Sequence, residues 1–223
     1  MLLCIRLAYE HAMALGVNTC PYCNAQYTYT IKNSSSKSRP HFDHYILKSK
    51  HPYFALSFYN LAPSCYPCNS NLKGQKVSSV KTHLHPFLDD IEGIYEFRTN
   101  IKAVDFLVNN KDFTLELQPC NRLSKNQLKR AKKSLEVFAI QDRYRFHKDC
   151  AEEILRKAYF YGDSTLEELF LSYKVKGKSI FRNKNEVKEL VIGNSLHKNR
   201  YHKRILSKIS KDIAEEFGLE LDS

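Results

Sequence analysis

Glycine and proline are scarce, seven of each in 223 residues, which excludes collagen-like, low-complexity and linker-like chains. No run of about eighteen apolar residues exists, so the chain is expected to carry no membrane-spanning helix. Residues 1–16 are apolar in places, but Arg6, Glu10 and His11 break the continuity that a secretory signal needs. A reducing cytoplasm is the expected setting, where cysteines serve metal ligation or burial rather than disulfides. Helix-turn-helix and dinucleotide-binding fingerprints are missing too. Carboxylates are in short supply: 24 Asp and Glu face 35 Lys and Arg, leaving a formal charge of +11. Such an excess points to a polyanionic partner. Hydrophobic residues make up 43% of the chain, and at this length a sizeable core forms without cross-links.

Apolar spacing from Leu2 to Leu15 predicts a short helix closed by Gly16. Residues 26–31 and 41–46 read as strands around a serine-rich loop at 33–38. Segments 94–98, 103–108 and 113–117 alternate apolar and polar residues, as in a small β-meander. Ser124 with Gln127 spells a capping box before an amphipathic helix, and Ser164 with Glu167 repeats it. Leu206, Ile209, Ile213 and Phe217 line a last helix ending at Gly218. The fold class expected is α+β, with residues 1–90 forming one region and residues 91–223 a meander plus a mostly helical remainder.

Seven cysteines are present, four of them as Cys20-Pro-Tyr-Cys23 and Cys65-Tyr-Pro-Cys68. Two Cys-x-x-Cys knuckles supply the tetrahedron of thiolates that Zn²⁺ accepts, with no open position, so this zinc is structural. Cys4, Cys120 and Cys150 lack partner spacing and are expected in the core. Between the knuckles lie His41-Phe-Asp43-His44 and Tyr59-Asn60-Leu61. After the second knuckle come Asn69, Asn71 and Lys73-Gly74.

An Asp-His pair, a central Asn-Leu and a Cys-x-x-Cys-Asn followed by Lys-Gly resemble the motif of HNH endonucleases, the zinc-stabilised ββα-metal finger. The resemblance covers roughly residues 18–76. It implies that His44 is the general base, that Asp43 and Asn69 hold a catalytic Mg²⁺ or Mn²⁺, and that Asn60 ties the loop to the strand. The lysine follows Asn69 by four residues, one more than the family's usual three, so Asn71 stays open as the third site residue. A helical extension behind the finger is also similar to nuclease subunits of bacterial anti-phage systems such as Septu, which implies an ATPase partner.

The implied chemistry is hydrolysis of a DNA phosphodiester, with RNA left open, by an imidazole that activates water and a hard dication that offsets charge. Neighbouring strand residues face opposite ways, so the strand is expected to end or kink at Asp43-His44. Lys48, Lys50, Lys73 and Lys76 surround the motif as candidate nucleic-acid contacts, with Tyr27, Tyr29, Tyr45, Tyr53 and Tyr59 interleaved. Lys125, Lys129, Lys132 and Lys133, and then Arg200, Arg204, Lys208 and Lys211, fall at helical spacing as further basic faces. The competing reading is a noncatalytic zinc-finger module that binds nucleic acid.

Overall fold

The computed structural model describes residues 2–102, 113–121 and 123–221, with side chains from Arg6 onward. The chain folds as α+β, with small two-stranded antiparallel sheets and several helices. It divides into two compact units of three segments each. Unit 1 takes Met1–Tyr95, Pro119–Ile140 and Tyr201–Ile205, and unit 2 takes Glu96–Gln118, Gln141–Arg200 and Leu206–Ser223. The expected segment 103–108 lies outside the described residues.

In unit 1, helix α1 (Leu2–Leu15) stops at Gly16, whose φ of +60° suits a residue without a side chain. The tyrosine-rich stretch expected as a strand is mostly irregular: only the bridge Thr19–Tyr27 and the short hairpin β1 (Ile31–Lys32) with β2 (Lys37–Ser38) pair. Strands β3 (His41–His44) and β4 (Leu61–Ser64) pair with His41 opposite Ser64 and His44 opposite Leu61. The strand therefore ends at the Asp-His pair. A π-helical turn, Pro67–Lys73, follows β4 and packs on β3. Helix α2 (Lys125–Val137) starts from a complete capping box: Ser124 Oγ accepts from the Gln127 N–H, and the Gln127 side chain accepts from the Ser124 N–H. It buries Ala131 and Ser134, and Phe138 just beyond, while its four lysines stay exposed.

Unit 2 contains most of β5 (Tyr95–Ile101) paired with β6 (Phe113–Pro119), helix α3 (Ile140–Tyr144) after its first residue, the helices that follow it, and a hairpin, β7 (Lys174–Val175) with β8 (Lys178–Ser179). Helix α4 (Lys148–Phe160) packs on α7 (Ser207–Glu216), and α5 (Asp163–Ser172) packs on α6 (Lys184–Ile192). Ile154, Leu155, Leu166, Val187, Ile209 and Ile213 form their shared interior. The second expected capping box does not form. Helix α5 begins two residues earlier, with Gly162 in the extended N-cap position and no side-chain cap, so Ser164 falls inside the first turn.

The basic face expected on the last helix is absent. Helix α7 begins only at Ser207; Arg200 sits on a 3-10 turn against Glu189, while Lys208 and Lys211 pair with Asp212 and Glu215 one helical turn on. The two lysines stand three residues apart on one side of the helix, and a carboxylate four residues after each neutralises it. Cys120 and Cys150 are half-buried rather than core. Cys4 lies where no side chain is described. Among the described residues no helix is long and apolar enough to cross a membrane.

Candidate zinc centre and histidine site

The first knuckle is a tight hairpin. The Cys20 carbonyl accepts from the N–H groups of Cys23 and Asn24 at 3.3 and 2.8 Å, and Asn24 takes a left-handed φ of 48°, a conformation that asparagine tolerates. Asn24 Nδ2 donates to the carbonyls of Tyr201 and Arg204, clamping this knuckle to the third segment of unit 1. The second knuckle opens the π-helical turn, where the Asn69 N–H bonds the Cys65 carbonyl at 3.0 Å.

The sulfurs of Cys20, Cys23, Cys65 and Cys68 lie within 4.8 Å of one another, and all four residues are buried. Cys23 Sγ and Cys65 Sγ are 3.9 Å apart, close to the edge of about 3.8 Å in a tetrahedron with Zn–S bonds of about 2.3 Å. Burial pushes the Cys20 thiol well above its ordinary value; a bound dication supplies the charge that makes the thiolate favourable. The donor set fits zinc.

Beside this cluster, Asp43 is only 2% exposed. Its Oδ2 accepts from the Tyr22 hydroxyl at 2.6 Å, and its Oδ1 accepts from Lys73 Nζ at 2.7 Å. Tyr22 lies between the two cysteines of the first knuckle, and its ring stacks on Phe138 at 4.3 Å. Burial, followed by the Asp43 charge, pushes the phenol well above its usual range and keeps it a donor. Lys73 is 1% exposed and also donates to the His44 carbonyl at 2.6 Å. A lysine expected to reach phosphate is thus spent inside the protein.

The four-residue step from Asn69 to Lys73 lies within a widened helical turn. The turn is π-helical, with the Gly74 N–H reaching the Asn69 carbonyl at 3.0 Å, and a π turn accommodates one added residue per turn.

His44 is half-buried, and its Nε2 lies 3.1 Å from the Ala55 carbonyl. A carbonyl only accepts, so Nε2 carries the proton and Nδ1 keeps its lone pair. Burial, then the Lys48 charge, lowers the His44 pKa, which favours the neutral imidazole at pH 7. Asn60 is buried and fastens the intervening loop: Oδ1 accepts from the Ile46 N–H at 2.6 Å, and Nδ2 donates to the carbonyls of Ile46 and Phe54 at 3.0 Å each. Tyr45, counted among the stacking candidates, is instead buried, donating to the His83 carbonyl and meeting His85 edge-on at 4.3 Å.

Asn69 stands apart from this network, half-buried with its amide 3.5 Å from Ser70 Oγ; Asn71 is exposed. Lys48, Lys50 and Lys76 are exposed. Tyr22 and the Ala55 carbonyl escaped the sequence reading. For Tyr22 a signal existed: Asp43 is the sole carboxylate between Glu10 and Asp89, so once buried it required nearby donors.

No family model, curated protein or solved structure matches this chain.

Proposed function

We propose that the chain is a zinc-stabilised endonuclease of the HNH type that hydrolyses DNA phosphodiesters with His44 as general base. The carrying observation is the imidazole itself: neutral, held through Nε2 by the Ala55 carbonyl, with Nδ1 able to take a proton. The order of β3, β4 and a helical turn that opens on the second cysteine knuckle supports the same reading. In the step, Nδ1 accepts a proton from water as the water oxygen bonds to phosphorus. The bond from phosphorus to one bridging sugar oxygen breaks, and that oxygen leaves with a proton from solvent. Lys48, whose charge is felt at His44, offsets negative charge on the phosphate.

The resemblance also implies Mg²⁺ or Mn²⁺ on Asp43 and Asn69. As placed, those residues do not fit: both Asp43 oxygens are engaged, and the Lys73 ammonium already supplies the counter-charge at 2.7 Å. A second cation on that carboxylate would be repelled. This same observation favours the second reading, a noncatalytic zinc module that binds nucleic acid.

Plasmid nicking in Mg²⁺ or Mn²⁺ separates the two. His44→Ala is expected to lower the rate by about 10²–10⁴-fold with zinc content unchanged. Nicking that survives the substitution removes the mechanism, and binding without cleavage in every divalent metal leaves the module.

A further inference from the structure

From His11 to Leu88 the chain carries eight Lys and Arg and a single carboxylate, Asp43. That carboxylate is buried and consumed by Lys73. The seven remaining cations, Lys32, Lys37, Arg39, Lys48, Lys50, Lys76 and Lys81, are all exposed. These residues of unit 1 therefore present positive charge to solvent and contribute no exposed carboxylate of their own, with Glu10 just before them facing Lys32.

Within the same stretch, large rings stand in water. Tyr53 is 97% exposed and Tyr59 79%, on the loop between β3 and β4. The loop is not slack: two 3-10 turns, Pro52–Phe54 and Phe58–Asn60, shape it, and Asn60 Nδ2 fastens the Phe54 carbonyl. Phe58 is steadied by the His11 ring at 5.0 Å. The loop also carries Ala55, whose carbonyl holds His44.

Phosphate contacts alone need only lysines; exposed rings held on a fixed backbone serve a partner with flat apolar faces to cover them. In a closed duplex the bases are already stacked on one another and unavailable. The geometry points to a stacking platform at Tyr53 and Tyr59 for unpaired nucleobases, on the same loop as the exposed Lys48 and Lys50, so that the polyanion brought to His44 is single-stranded or locally opened. This rests on the nucleic-acid reading above and narrows its substrate class.

The test is fluorescence anisotropy with the full zinc-loaded chain and no added magnesium, using a labelled twenty-nucleotide single strand, the same sequence as a duplex, and an abasic strand of equal length. The wild type is expected to bind the single strand about tenfold or more tighter than the duplex or the abasic strand. Tyr53→Ala with Tyr59→Ala is expected to weaken single-strand binding by at least about tenfold and leave the other two unchanged, with zinc content and Tm preserved because both positions are exposed. A 2-aminopurine placed in the strand is expected to lose fluorescence on binding to the wild type and not to the double variant. Equal affinity for duplex and single strand, a uniform loss across all three probes, or no effect of the substitutions overturns the platform. Failure to bind any nucleic acid overturns it as well and leaves the patch to a protein partner. Because no step here requires hydrolysis, tight single-strand binding without nicking keeps the platform and removes only the nuclease reading.

Discussion

Removing the Lys73 ammonium strands the Asp43 carboxylate at 2% exposure with one hydroxyl for company. Breaking a buried pair from one side costs about 3–5 kcal/mol. Lys73→Met is expected to lower stability by that order in urea denaturation, and Asp43→Asn combined with it to recover part of the loss. An exposed phosphate-binding lysine would show almost no change. His44 gives a second residue-scale prediction. Burial first, and Lys48 second, hold its pKa below 6.5, so the neutral base persists as pH falls through 6.5, and the acid limb of kcat/KM lies below that value. Lys48→Met removes one of these causes, and the limb is expected to move toward 6.5 while burial and the Lys73 charge keep it from arriving. Asp43, His44 and Asn60 were singled out by the resemblance, and the structure adds the hydrogen bonds that each of them makes. Exposure was not legible, because a lysine reads alike in sequence whether it points to water or to a carboxylate thirty residues upstream.

The π-helical turn Pro67–Lys73 holds one residue more per turn than an α-helical turn would and delivers Lys73 to Asp43. Deleting exposed Asn71 is expected to relax it to an α-helical turn and cost far less stability than Lys73→Met, read as the difference in urea midpoint. A larger loss from the deletion would show that the wide turn is required in its own right. Elsewhere the ends of elements were readable where a side chain caps them, as at Ser124 and Gln127, and misread where backbone alone decides, as at Gly162. The tyrosine-rich stretch after the first knuckle had strand composition but found little to pair with. Strand preference reflects fit to a neighbouring strand more than an intrinsic backbone choice. In α7, Ile213→Ala is expected to cost about 2–5 kcal/mol through the cavity it leaves, since Ile213 is fully buried.

Across the whole chain, a cut at residue 90 leaves unit 1 without parts of its own interior. Helix α2 meets the first segment through Phe138 on Tyr22, Ser134 Oγ on the Leu84 N–H, and Arg130 on Asp89 at 2.6 Å. The isolated fragment 1–90 is expected to hold zinc more weakly than the full chain and to melt without a cooperative transition, as followed by competition with a chelator and by circular dichroism. A sharp transition with full zinc affinity would show the later segments to be dispensable. No local pattern reveals that residues 119–140 and 201–205 return to the first unit, because that return is a long-range pairing with no periodic signature. The return has a timing consequence. The first knuckle is closed by the His202 carbonyl, which accepts the N–H groups of Asn18 and Thr19 at 2.8 and 3.1 Å. During synthesis that clasp emerges well after Cys68, so a nascent chain carries all four thiols of the cluster long before it owns the piece that locks the first knuckle.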